Sequence, residues 1–486
     1  MLTTYTAARM LRCAAALVSL GLGGLPGCAD SQPPARPPPT ATPPSTISPD
    51  EAVDDLEERS FRFFWETANT DNGLIPDRYP TPSFSSIAAV GFGLTAYGVG
   101  VERGYISREE ARDRVLTTLR FFRSAPQGEA PTGTTGNKGF FYHFLDMKSG
   151  QRFKDTELST IDTTLLLGGV LFAESYFDGS DPGEVEIREL AEEIYGRVDW
   201  VWVQARPPAV SMGWKPESGF LDDDWIGYDE AMLVYILALG SPTHAIDPAG
   251  WDAWVAGYAG DWGTSYGQEH LRFAPLFGHQ YSHLWVDFRG IQDAYMRGKR
   301  IDYFENSRRA TLAQRAYAIA NPLGWKGYGK NVWGLSACDG PSDAELDYGG
   351  RSRQFHTYAA RGVDFNDDGT LAPTAAASSI AFAPEIAIPA VVEMRQRYGA
   401  QIYSTYGFLD AFNPSFEFDE PVQGGRVVNG FGWVDGDYLG IDQGPIVGMI
   451  ENNRSELVWK VMRKNPHIKT GLERAGFQGG WLGAGK

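Results

Sequence analysis

Cysteine is nearly absent. Cys13, Cys28 and Cys338 are the three in the chain. The first two fall in an N-terminal segment that reads as a processing signal, so the remainder has no pair for an intrachain disulfide and no cysteine-based metal cluster. Basic charge is also short: 43 Lys and Arg stand against 61 Asp and Glu, a formal net charge of -18. That balance argues against nucleic acid or an anionic membrane surface as a partner. Serine-nucleophile elbows and phosphate-cradling loops are missing. His279 and His283 have helical i,i+4 spacing, but Gln280 and Tyr281 stand where the zinc-protease signature needs its glutamate pattern. Asp364 to Gly369 opens like a calcium loop, yet Ala375 occupies the place of the bidentate glutamate. A tight turn is expected there, and no metal or cofactor is expected anywhere.

What is present begins at the N-terminus. Arg9 and Arg12 precede an apolar stretch, Cys13 to Leu20, too short for the ~20 residues that span a bilayer. Leu25-Pro26-Gly27-Cys28 then has the order of a bacterial lipoprotein box. Residues 1–27 are read as a signal peptide and Cys28 as a lipidated mature N-terminus; the alternative is an ordinary secretory signal cleaved nearby. Ala29 after the cysteine favours sorting to the outer membrane, facing the periplasm. Residues 28–49 are rich in Pro, Ser and Thr without apolar periodicity and read as an extended tether. Residues 50–486 show no second linker and are read as one large domain, expected to be monomeric and to touch the membrane only through the anchor.

Six apolar, small-residue helix starts recur along that domain: Ser85–Leu94, Leu158–Gly168, Gly227–Leu237, Ser282–Asp287, Ala377–Glu385 and Leu439–Ile450. Each is apolar nearly all round, the mark of a helix buried on every side. Between them lie amphipathic segments such as Arg108–Ser124, Glu184–Gln204, Ser307–Asn321 and Ala390–Tyr398. Buried helices alternating with half-exposed ones predict an all-α fold, an (α/α)6 barrel of six helical hairpins closed in a ring. A minor β-hairpin is expected in Gly139–Lys154.

Acids gather at the mouths of the inner helices. Asp155, Glu157 and Asp162 surround the second; Asp222 to Asp224, Asp229 and Glu230 the third; Asp435, Asp437 and Asp442 the sixth. Asp287 and Glu385 belong to the fourth and fifth. Any one of them could be a helix cap. Glu230 and Asp442 differ, because each lies inside an apolar run where a solvated cap is not needed. Two opposed carboxyls are what hydrolysis of a glycosidic bond requires, one as acid and one as base or nucleophile. Aromatics make up 13% of the chain, with 14 Trp and 22 Tyr, and their flat faces suit sugar rings. Trp65, Phe140, Tyr142, Trp214, Trp225, Trp285, Trp325 and Trp333 are candidate platforms, and Arg78 and Arg351 could hold hydroxyls.

The sequence resembles the bacterial "putative glucoamylase" domain family, which contains the β-1,2-glucanases of glycoside hydrolase family 144. The motifs that carry this are Gly73–Arg78, Ser86–Leu94, Gly139–Phe144, Glu157–Thr163, Gly227–Met232, Gly369–Ala376, and Asp437–Pro445 with Ile450–Asn452. The resemblance implies the (α/α)6 fold and metal-free hydrolysis of β-1,2-linked glucan with inversion. It implies Glu230 as general acid and Asp442 as base. Glu157, Asp162, Asp155, Asp229 and Tyr228 are carried as substrate-binding residues, with Arg78, Tyr142, Trp214, Trp225 and Trp333. The competing expectations are an α-glucan hydrolase of glucoamylase type and a non-catalytic glycan-binding lipoprotein.

Overall fold

The computed structural model describes residues 47–483; the signal, Cys28 and nearly all of the tether lie outside the described residues. The chain enters on α1 (Pro49–Thr67), started by a capping box in which Ser48 and Glu51 satisfy each other's backbone N–H groups. Ser86 caps α2 (Ile87–Glu102), and Ser159 caps α4 (Thr160–Tyr176). Beyond them come α6 (Met232–Gly240), α7 (Tyr281–Trp285) and α11 (Gly440–Arg454). Four of these inner helices, α2, α4, α7 and α11, follow their sequence starts closely. The sixth inner element is short, α9 (Pro373–Ala377).

Backbone and side-chain contacts between neighbours, α4 against α6 among them, close these six into a ring. Between α2 and α4, added methyl groups at Gly91 or Gly169 would collide with the facing backbone. Leu233 N–H of α6 donates to Ser282 Oγ of α7 at 3.1 Å. Gln280 Nε2, just before α7, donates to Ala375 O of α9 at 2.9 Å. Thr374 Oγ1 of α9 donates to Asp442 O of α11 at 3.2 Å, and Gly444 of α11 abuts Phe92 of α2. Helices enclosed this way need apolar residues on all faces, which is why no stripe is visible in their sequences.

The outer layer has one wet face. In α3 (Arg108–Ser124) a capping box of Ser107 and Glu110 starts the helix, and Ala111, Val115, Leu119 and Phe122 form its buried stripe. Companions include α5 (Pro182–Gly196), α8 (Tyr303–Ala320), α10 (Pro384–Ile402) and α12 (Pro466–Arg474). This is the expected (α/α)6 architecture. The connections carry many short strand pairs. Two hairpins fall near the expected one. Phe144 faces Phe153 across a turn in which Asp146 accepts from Lys148 and Ser149, and Gly136–Asn137 pairs with Phe140–Phe141 around Lys138 and Gly139, both at positive φ.

Two expected helix starts are displaced. Gly227 adopts φ 84°, so Gly227–Ala231 forms a turn and α6 begins only at Met232. The run Ala377–Glu385 is not one helix: α9 ends at Ala377 and Pro384 opens α10, because a proline disfavours helical backbone in the residue before it.

Candidate functional site

The N-terminal ends of the inner helices meet at one end of the ring, around a narrow cavity of about 60 Å³. Its walls come from four of them: Ser159, Ile161 and Asp162 at α4, Glu230 before α6, Tyr281 at α7 and Ile441 at α11. His143, Glu157, Trp225 and Phe277 add to its polar and aromatic lining.

Glu230 stands in the turn ahead of α6, not on the helix. It is buried, and no donor reaches its Oε2. Burial, then the negative charges of Asp229 and Asp162, push its carboxyl well above the ordinary carboxylate range. Asp229 has a different task despite its adjacency. Its Oδ1 accepts from Ala231 N–H at 3.0 Å and Trp254 Nε1 at 3.2 Å, so it shapes the turn that presents Glu230.

Across the cavity the two expected acids, Glu157 and Asp162, form a triad with His143, which the sequence did not single out. The imidazole of His143 contacts Glu157 Oε1 through Nδ1 at 2.9 Å and Asp162 Oδ1 through Nε2 at 3.5 Å. Burial alone would lower its pKa, but Asp162, Glu157 and Asp77 outweigh burial and lift it to about 9. At neutral pH it is therefore an imidazolium. That cation and its hydrogen bond hold Glu157 below the usual carboxylate range against the cost of burial. Asp162, fully buried, is still raised by that burial although His143 and the Ser159 hydroxyl, which donates at 2.5 Å, oppose it.

Asp442 lies in the first turn of α11, one residue past Ile441 of the cavity wall. Its carboxyl is buried against Asp410 and pushed up to about 7, by burial first and by Asp339, Asp435 and Asp77, while the Asp410 hydrogen bond works the other way. Arg78 enters the same acidic quarter, donating from Nη1 to Asp339 Oδ2 at 2.7 Å and from Nε to Asp77 Oδ2 at 3.3 Å. The Tyr281 phenol, on the same cavity wall as Glu230 and Asp162, is pushed well above its ordinary range by burial first and then by charges that include Asp442, Glu230 and Asp162.

The structure thus gathers Glu230, Glu157, Asp162 and Trp225 at the cavity, with Asp442 and Arg78 behind its wall. It does not bring the others there. Asp155 is exposed on a loop. Tyr228 is core, stacked parallel to Tyr303 and beside His279. Tyr142 is fully buried beneath Arg152, Trp214 packs edge-on against Trp202, and Trp333 is buried. Trp65 sits under Arg114, and Phe140, Trp285 and Trp325 are interior. Arg351 is exposed on a hairpin. Trp225 is the exception because its Nε1 donates to Thr160 Oγ1 at 2.9 Å, fixing the ring on the wall. His143, Tyr281 and Asp410 are the residues sequence reasoning missed; for His143 the available signal was its place inside Gly139–Phe144.

An (α/α)6 toroid with carboxyls focused on a cavity at the inner-helix N-termini is the class that this fold and site define. The chain belongs to the family described as "Putative glucoamylase", whose model matches residues 222–466. It is 30% identical to a protein from Bacteroides uniformis solved under that same description, with a TM-score of 0.77 over 90% of this chain and 100% of that one. It is 29% identical to the endo-β-1,2-glucanase from Chitinophaga pinensis, solved with sophorotriose and glucose, with a TM-score of 0.76 over 90% and 100% of the two chains. An exo β-1,2-glucooligosaccharide sophorohydrolase (non-reducing end) from Parabacteroides distasonis is 29% identical over 458 residues. That match covers 87% of this chain and 58% of the relative, so the chain spans less than two thirds of its length.

Proposed function

We propose that this chain is a glycoside hydrolase that cleaves β-1,2-linked glucan. The observation that carries the reading is Glu230: a carboxyl pushed well above the ordinary carboxylate range by burial and by neighbouring charge, on the wall of a cavity it shares with Glu157 and Asp162. The β-1,2-glucan specificity of the Chitinophaga and Parabacteroides relatives supports the choice of substrate.

In this reading Glu230 donates its proton to the glycosidic oxygen as the bond to the anomeric carbon breaks. Asp442 takes a proton from water, directly or through a bound hydroxyl. The water oxygen bonds to the anomeric carbon from the opposite face, which inverts its configuration. Trp225 stacks on a sugar ring, and the His143 imidazolium holds Glu157 and Asp162 in place as hydrogen-bond acceptors for hydroxyls. The chain works as a monomer, exported and anchored through lipidated Cys28 to the outer membrane facing the periplasm. Among the described residues no helix is long and apolar enough to cross a membrane, and the large exposed apolar side chains, Tyr79, Val201, Ile319 and Val427, are scattered along the sequence.

Linear β-1,2-glucan incubated with the protein and chromatographed over time tests this. A ladder of oligosaccharides marks endo action, and a single disaccharide from the start marks exo action. Glu230→Gln should lower either rate by roughly 10²–10⁴-fold. Cleavage of starch in place of β-1,2-glucan would install the glucoamylase reading, and no products from either would leave a binding protein. For the anchor, Cys28→Ala should move the protein from the membrane to the soluble fraction.

A further inference from the structure

Behind the cavity wall, four carboxyl groups pack with too few donors. Asp339 spends Oδ2 on Arg78. Asp410 Oδ2 accepts from Asp339 N–H at 2.8 Å, and Asp435 Oδ1 accepts from Gly436 N–H at 2.7 Å. Each of the three has one oxygen within 4.8 Å of one from each of the others. Asp435 Oδ2 and Asp442 Oδ2 are buried, and neither receives an N–H or hydroxyl donor. The segment cannot open to relieve the crowding: Asp410 N–H donates to Asp437 O and Asp435 N–H to Ala411 O, both at 2.9 Å. Like charges held this close in a dry site do not all ionise; protons must be retained.

We infer that Asp410 is the positioning residue of the general base, a carboxylic acid whose O–H donates to Asp442 and leaves the negative charge of the pair on Asp442. The inference rests on reading Asp442 as the base. The groups facing the pair are Asp339, Asp435 and Asp77, the Arg78 cation, the phenols of Tyr281 and Tyr358, and the Cys338 thiol. Asp410 is raised well above its ordinary range by burial first and then by Asp442 and Asp339, whereas Asp442 is raised by burial and by Asp339, Asp435 and Asp77 and lowered by the Asp410 hydrogen bond. During turnover the pair goes from one proton to two. The second comes from the attacking water, whose O–H bond breaks as its oxygen bonds to the anomeric carbon.

The test compares full-length parent, Asp410→Asn and Asp410→Ala. An amide also donates to Asp442 and is neutral like the acid, so Asp410→Asn should keep kcat within about threefold and leave the acidic limb of the kcat/KM profile unmoved or lower. Asp410→Ala removes the donor. Asp442 then becomes harder to ionise, so the acidic limb should move up by about one pH unit and kcat fall by about tenfold or more, with KM little changed. A readout free of activity accompanies this: the parent-minus-Asp410→Asn infrared difference at pH 7 should show the C=O stretch of a protonated carboxyl. An Asp410→Asn as damaged as Asp410→Ala, an unmoved profile in Asp410→Ala, or a missing carboxyl band overturns the inference. So does calcium that raises the melting temperature of the parent but not of Asp410→Asn, since a cation would then balance the cluster. A parent that leaves β-1,2-glucan intact defeats the functional reading, and the infrared difference alone then decides the state of Asp410.

Discussion

Nδ1 of His143 lies 2.9 Å from Oε1 of Glu157, inside a site where both are almost shut off from water. With the folded pKa of His143 lifted to about 9 from 6.5, the protonated ring stabilises the native state. That contribution, about 3 kcal/mol at full strength, is complete below pH 6.5 and is lost as pH rises through 9. His143→Gln should therefore be less stable than the parent by the largest margin near pH 6. The gap in urea-unfolding free energy should narrow toward pH 9.5; a gap independent of pH would mean the ring is neutral in the native protein.

Asp155 and Asp162 read alike in the sequence and part company in the structure. Asp155 is exposed on a loop, and Asp155→Ala should leave kcat/KM within about twofold, as surface changes usually do. Asp162 lines the cavity, and its charge helps keep the Glu230 proton on. Without that charge Glu230 ionises more easily, so Asp162→Asn should move the alkaline limb of the pH profile to lower pH and cut kcat/KM by about tenfold or more.

The helix starts were legible because local rules and tertiary need agree there. Ser86 and Ser159 are caps by residue type, and the apolar runs after them have no polar face to hide. Arg108–Ser124 was legible to the residue through its amphipathic stripe, and the structure adds the capping box that starts it. Glu230 was legible as a candidate, but its setting was not: the left-handed Gly227 and the Asp229 side chain make a turn where periodicity alone extends a helix. Asp410 left no signal at all. It sits between Leu409 and Ala411 in a short connection, and its chemistry exists only because residues 77, 339, 435 and 442 arrive beside it from elsewhere. The aromatics erred the other way. Their faces suit sugars equally well whether they line a cavity or fill a core, and only packing distinguishes the two.

The approach of α2 to α4 has no slack. A Cβ at Gly91 would meet the carbonyl of Leu165, and one at Gly169 would meet the carbonyl of Gly91. Neither obstacle is a flexible side chain, so Gly91→Ala or Gly169→Ala must force two inner helices apart. Overpacking of this kind costs about 1–3 kcal/mol, occasionally more. The shift should appear as a lower melting temperature, and because α4 carries Asp162, also as weakened hydrolysis.

Arg361 and Asp368 form an ion pair with side chains 0% and 1% exposed. Asp368 accepts from Arg361 Nε and Nη2, each at 2.8 Å, while Arg361 Nη1 donates to Cys338 O at 2.8 Å. The pair therefore ties the Asp364–Gly369 turn to Ala337–Asp339, whose first residue lines the cavity and whose last holds Arg78. Asp368→Asn strands a buried guanidinium charge and should cost about 3–5 kcal/mol. Replacing both partners with apolar residues of similar volume removes the stranded charge as well as the attraction, so Arg361→Met with Asp368→Leu should be less destabilised than Asp368→Asn alone. The sign of the pH effect follows from the depressed pKa of Asp368: its contribution is present at neutral pH and is lost as pH falls, so parent and Asp368→Asn should converge in stability under acid. If the double variant instead proves as unstable as the single one, the loss lies in the hydrogen bonds to the Cys338 backbone and not in the buried charge.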